Sequence, residues 1–265
     1  MVDKSEKFNW LVRVGYFSRA ILYSVLGYIA LVSADAISNG TDGIFQAVED
    51  LPAGNLLLWI LVVGLAAYAL FRFASPLFDI ENNGSDTKGW GKRIGHAGSG
   101  IAHLVLAWTA YKFATGSSSS GGSGASEATA GVLSIQFGGV VIGVLGIAFF
   151  IAAVAQAKKA VTGEFMHRIS AGAPDFTRMI GGLGFGARAV VYTVIGWSLF
   201  QTGFLSSGAE NVKTLGSAVA SLAGTGWLFT VTAIGLLLFG VFSLILARYR
   251  IIPELSSDGV PSFRS

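Results

Sequence analysis

Two arginines, Arg19 and Arg188, each stand about ten residues into a long apolar stretch, Val12–Ala34 and Met179–Phe204 respectively. A guanidinium is permanently charged and carries five donors in a planar fork. Burying one in hydrocarbon costs about 2.5–3.5 kcal/mol on insertion scales. No Asp or Glu lies within either stretch, so a membrane ion pair is hard to supply from this chain. Two readings follow. The arginines either snorkel toward lipid phosphates and helix carbonyls, or they hold an anion. Tyr23 and Tyr192 follow them by one helical turn and add hydroxyls on the same helix face. A third copy of this pattern has Ser99 in place of the arginine and His103 in place of the tyrosine. The expected site is therefore an anion or lipid-headgroup site built from Arg19, Arg188, Tyr23, Tyr192, Ser99 and His103, with a lipid phosphate of the cytoplasmic leaflet as ligand.

Other chemistry finds less support. His96 and His103 are seven residues apart and share a helix face, but the remaining histidine, His167, falls in a loop, and there is no cysteine. That combination leaves no plausible haem or metal centre, and no cofactor is expected. There is no carboxylate pair within a span, no histidine with a nucleophile and no phosphate-cradling loop, so the chain is not expected to be an enzyme. The run Gly182-Leu-Gly-Phe-Gly-Ala lacks the preceding strand that a dinucleotide site requires.

The elements that position these residues are repeated. Arg13-Val-Gly15 to Gly27-Tyr28 returns as Arg93-Ile-Gly95 to Ala107-Trp108 and as Gly182-Leu-Gly184 to Gly196-Trp197. Gly15, Gly95 and Gly184 set offsets of 80 and 169. A second apolar run follows in each copy: Gly64-x3-Tyr68, Gly146-x3-Phe150 and Gly235-x3-Phe239, offset by 82 and 171. Each copy is one two-helix unit. Six apolar windows result, near Val12–Ala34, Leu56–Phe73, Ile94–Ala114, Gly138–Ala155, Met179–Phe204 and Trp227–Ala247, each close to the roughly 20 residues that cross a bilayer as a helix. Hydrophobic residues make up 52% and charged ones 12%, about half the charge of a soluble domain, where roughly 25% is usual. The expected fold is an all-α membrane protein. Its six transmembrane helices form three tandem two-helix repeats, residues 10–79, 90–162 and 178–250, in a pseudo-threefold bundle that is one membrane domain.

Charge sets the expected orientation. All 18 cations except Lys112 and Lys213 fall on the side that carries both termini, which places those ends in the cytoplasm of a bacterial cytoplasmic (inner) membrane. Ala34-Asp35-Ala36 fits a signal-peptidase site, yet the same segment recurs internally, so the first helix is expected to stay uncleaved. The outer segment 42–51 has the amphipathic pattern of a surface helix, and 212–223 is its counterpart. In the second copy the glycine-serine run 116–124 is expected to be a mobile loop. Gly91-x3-Gly95, Gly139-x3-Gly143 and Gly182-x3-Gly186 allow close helix approach.

The repeated aromatic–Gly–aromatic–x–Arg–x3–Tyr helix, with its partner Gly64-Leu-x2-Tyr68-x-Leu-Phe-Arg72, resembles bacterial membrane proteins grouped as domain of unknown function 1206. The resemblance runs over roughly residues 10–250, with the second copy departing at Ser99 and His103. It implies architecture and membrane location and supplies no catalytic residues. The expected function is a structural or accessory subunit, or a lipid-interacting membrane protein. An anion or small-molecule transporter or channel, and a binder of lipid or a quinone-like ligand, stand as alternatives. Membrane lipids are the expected partners, with another membrane complex or self-association open. Nucleic acid is not expected, because no basic soluble face is interleaved with aromatics.

Overall fold

The computed structural model describes residues 4–32, 41–78, 86–117, 124–252, 254–255 and 261–262. Nine α-helices are found among them: α1 (Lys4–Val32), α2 (Thr41–Glu49), α3 (Gly54–Phe78), α4 (Thr87–Ala114), α5 (Gly124–Leu133), α6 (Gly138–Thr162), α7 (Thr177–Phe204), α8 (Leu215–Ala220) and α9 (Trp227–Tyr249). A two-residue antiparallel pairing of Glu254–Leu255 with Pro261–Ser262 follows. The candidate cleavage site near residue 35 and most of the glycine-serine run lie outside the described residues.

Five of the long helices, α1, α3, α6, α7 and α9, are long and apolar enough to cross a membrane. The sixth long helix, α4, has the length but not the hydropathy, because His96, His103, Ser99 and three glycines interrupt its apolar run. All six tryptophans are exposed, and Trp10, Trp90 and Trp227 lie near helix starts. Amphipathic rings prefer that level at a membrane interface. The molecule is thus compatible with a multi-pass membrane protein.

The long helices are neighbours in chain order. α3 packs on α1 and α4, α7 on α6 and α9, and α9 returns to α1. Glycine makes the closest of these approaches possible. A Cβ on Gly27 would lie 2.5 Å from the Leu237 amide nitrogen, and one on Gly203 would lie 2.2 Å from that of Gly143. Polar ties close the ends. Arg13 Nη1 donates to the carbonyls of Ala247 (2.7 Å) and Arg248 (2.5 Å), which have no acceptor role left inside α9's last turn. Arg93 donates from Nε and Nη2 to Pro76 O near the end of α3. Asn55 Nδ2 donates to Ala114 O, joining the start of α3 to the end of α4.

One link of that chain of neighbours is missing. The second repeat's own helices, α4 and α6, have no extensive contact, whereas α1 packs on α3 and α7 on α9. In the first repeat Gly15 is pressed against the Tyr68 backbone, and in the third Gly184 is pressed against Phe239, each at 2.8 Å from a would-be Cβ. Among the described residues, the matching Gly95 has nothing within 4 Å.

The short helix α2 corrects one sequence expectation. Helix α2 does not lie on a membrane surface: Ile44, Phe45 and Val48 are fully buried, with Phe45 against Phe113 at 6.0 Å between ring centroids. Its amphipathic face is satisfied by protein, because α1, α3, α4 and α8 all reach it. Phe45→Ala should therefore destabilise the fold by about 3–5 kcal/mol, the range for truncating a buried phenylalanine. Chemical denaturation in detergent measures it, and a loss below about 1 kcal/mol would return α2 to the surface.

Candidate functional site

Arg19 is only 5% exposed and lies near the middle of the candidate span Asn9–Val32, about 15 Å from Asn9 at 1.5 Å per residue. It does not snorkel. Its Nη1 donates to Tyr68 Oη at 2.7 Å and its Nε to Ser243 Oγ at 3.1 Å. Ser243 can accept because its own hydroxyl proton goes to Phe239 O at 2.8 Å. The guanidinium plane lies over the rings of Tyr16 (4.6 Å), Phe239 (4.9 Å) and Tyr68 (5.2 Å). Ring faces attract a cation by about 0.5–2 kcal/mol each when desolvated, but they do not neutralise it.

Arg188 sits at the matching level of α7, one ring away. Its Cζ lies 4.6 Å from the centroid of Phe239, the ring that Arg19 also covers, 4.9 Å from Tyr192 and 5.5 Å from Tyr23. Its Nη2 donates to Tyr192 Oη, while its Nε is buried with no partner among the described residues. Tyr23 packs edge-on against Phe239 at 4.8 Å.

Two further arginines continue the row toward the C-terminal ends of α3 and α9. Arg72 lies over Tyr68 (5.2 Å) and Phe71 (5.9 Å), and Arg250 over Tyr16 (5.3 Å) and Phe71 (5.8 Å). Consecutive guanidiniums therefore share a ring: Arg250 and Arg72 share Phe71, Arg72 and Arg19 share Tyr68, and Arg19 and Arg188 share Phe239. Like charges held this close repel, so the row favours any negative group that enters it.

Of the six residues expected from sequence, Arg19, Arg188, Tyr23, Tyr192 and His103 are brought into this one network. His103 reaches it through Tyr68, with ring centroids 4.5 Å apart. Its Nδ1 faces Ser99 O at 2.7 Å, and a carbonyl can only accept, so Nδ1 carries the proton and Nε2 is the bare nitrogen. Ser99 takes part through that carbonyl. Each position is set by local sequence: Gly15 lets α1 meet α3 at Tyr68, and Gly240 lets α9 meet Ser24 and Ala20 of α1.

Three segments, residues 14–78, 94–163 and 183–250, match the family described as Domain of Unknown Function (DUF1206). The chain belongs to that family. A protein of Bacillus subtilis (strain 168), described as uncharacterized protein YxxB, is 29% identical over 262 residues, 93% of this chain and 94% of that one. No solved structure matches. In this DUF1206 chain the matched segments contain the whole arginine row. Sequence reasoning placed Tyr68 and Arg72 in the repeat motif without assigning them to the site, and it missed Tyr16, Phe239, Ser243 and Arg250. The available signal was the motif's second helix: Tyr68 and Arg72 of the first copy correspond to Phe239 and Ser243 of the third, by the offset of 171.

Proposed function

We propose that this DUF1206 protein is an integral membrane protein that holds an anionic group at the mid-span arginines Arg19 and Arg188. The observation that carries this reading is the environment of those two side chains. Among the described residues, Arg19 is met by two neutral hydroxyls and ring faces, and Arg188 keeps one buried N–H without a partner. Two cations in such surroundings, with no acidic residue in any of the six apolar windows, are stabilised by an anion that accepts from both. No chemical transformation is proposed, and membrane lipids are its proposed partners.

The stepwise row from Arg250 and Arg72 to Arg19 and Arg188 favours one further reading, passage of a small anion between the inner helix ends and mid-span. In either case we take α4 as a sixth span, with the three repeats arranged about a quasi-threefold axis. The packing of each repeat's second helix on the first helix of another, α3 on α4, α6 on α7 and α9 on α1, supports this arrangement. Both termini are proposed to face the cytoplasm, which the cation asymmetry supports. Reporter fusions at Gly122 and after Ser265 are then expected to report opposite sides of the membrane, and matching signals would remove the six-span topology.

Replacing Arg19 and Arg188 together with glutamine should strip a co-purifying anion, counted by native mass spectrometry, while leaving the melting temperature within a few degrees. Unchanged anion occupancy at unchanged stability would refute the reading.

A further inference from the structure

A groove between α1 and α9, on the exposed side of the bundle, ends at two arginines. On α1, Arg13, Phe17, Ala20 and Ser24 recur at three- and four-residue steps and share one helix face. On α9, Val241, Leu244 and Arg248 do the same. Between these faces lies a cavity of about 310 Å³, lined by Phe17, Ala20 and Ser24 from α1 and by Gly240, Val241 and Leu244 from α9. Phe17 and Leu244 are exposed, so the groove opens away from the core. Arg13 closes one end by reaching across to α9, where its Nη1 donates to the Ala247 and Arg248 carbonyls. Arg248 is itself exposed, one turn beyond Leu244.

The other repeats do not reproduce this groove. At the corresponding place between α4 and α3, by the offsets of 80 and 171, Gly100 stands for Ala20, Phe73 for Leu244 and Leu77 for Arg248. There the Phe73 ring lies 2.9 Å from a would-be Gly100 Cβ and fills the space, and Arg93 bonds Pro76 O without a second arginine beside it. The third copy has Gly182 in the place of Arg13. Charge decides what suits the α1–α9 groove. Neither wall carries an acidic residue, from Arg13 to Val32 or along α9. Arg13 commits Nη1 to carbonyls, which leaves Nε and Nη2 of its five donors beside the Arg248 fork. Two guanidiniums so placed suit a phosphate, and the apolar groove below them suits a hydrocarbon chain. The depth agrees. Trp10, 65% exposed, stands one turn outside Arg13, the level that tryptophan prefers at an interface. From Arg13 to Ser24 is about 16 Å of helix, close to one leaflet, half of the roughly 30 Å of hydrocarbon.

Resting on the reading of this chain as an integral membrane protein, and separately from the mid-span anion, we propose that the α1–α9 groove binds an anionic phospholipid of the bilayer. Its phosphate is held by Arg13 and Arg248, and one acyl chain lies along Phe17, Ala20 and Ser24. The test uses the full chain in nanodiscs of phosphatidylglycerol and phosphatidylcholine in equal amounts, released into detergent, with retained lipid read by native mass spectrometry. The parent is expected to retain phosphatidylglycerol in preference. Arg248 is exposed, so Arg248→Gln leaves the core intact; it should lower phosphatidylglycerol retention about tenfold, the effect of one lost hydrogen bond to a charged group, with phosphatidylcholine unchanged. Ala20→Gly with Leu244→Phe copies the Gly100–Phe73 pair, a packing that the fold already uses, and should lower phosphatidylglycerol retention as much by filling the chain's place. Replacing Arg19 and Arg188 together with glutamine should leave that lipid bound. A parent without the preference overturns the proposal, as does parental retention in Arg248→Gln or in the filled groove. Loss confined to the Arg19 and Arg188 variant would also overturn it, and would assign the lipid to the mid-span arginines instead.

Discussion

Arg19→Met is expected to leave the protein folded and at least as stable as the parent, while anion retention drops roughly 10- to 150-fold. The two effects have different physical origins. Keeping a guanidinium out of water costs several kcal/mol, and hydroxyls and ring faces offset only part of that cost. Methionine fills a similar volume without charge and suits a site lined by Tyr16, Tyr68 and Phe239. Against this, Tyr68 Oη loses a donor, at about 1–3 kcal/mol. Ser243 loses little, because its bond to Phe239 O remains. The balance lies near zero or on the stabilising side, as when a buried ionic group is replaced by a packed apolar one. Binding behaves otherwise, since a hydrogen bond to a charged group is worth about 1.5–3 kcal/mol, which gives the fold-change above. Melting temperature and anion occupancy measured on the same preparation decide the matter. A stability loss of 3–5 kcal/mol with occupancy intact would make Arg19 a structural residue.

Gly27→Leu is expected to do the reverse and remove the fold. The new Cβ would lie 2.5 Å from Leu237 N and 2.7 Å from Ala233 O, both backbone atoms of α9 that cannot turn aside. Relief requires α1 and α9 to separate, which exceeds the roughly 1–3 kcal/mol of ordinary overpacking. It also pulls Arg19 away from Ser243, so any protein recovered should lack the anion. Gly95→Leu, at an open position, is the matched control. Size-exclusion profiles in detergent should show aggregated Gly27→Leu and monodisperse Gly95→Leu. Equal behaviour of the two would mean that the α1–α9 contact is looser than described.

Much of this was legible in the residues before any coordinates. The triplicated pattern marked the six long helices, and the charge pattern singled out Arg19 and Arg188. Helix neighbours were less accessible. Repeat alignment says which residues are equivalent, not which helices touch, so it could not foresee that α4 would turn to α3 and α6 to α7. Nor could it foresee that α2 buries its apolar face in the bundle, because an amphipathic pattern fits a lipid surface and a protein surface equally well. Tyr68 and Arg72 were visible as motif residues, but only the packing of α3 against α1 brings Tyr68 under the Arg19 guanidinium.

A density map of the protein in lipid nanodiscs, at a resolution that separates side chains, tests the anion site most directly. The prediction is a non-protein feature within about 3 Å of the Arg19 or Arg188 guanidinium, in contact with the unpartnered Arg188 Nε. The feature should disappear in the double glutamine variant. A map in which both guanidiniums are enclosed only by Tyr16, Tyr23, Tyr68, Tyr192 and Phe239, identical in parent and variant apart from the replaced side chains, would contradict it.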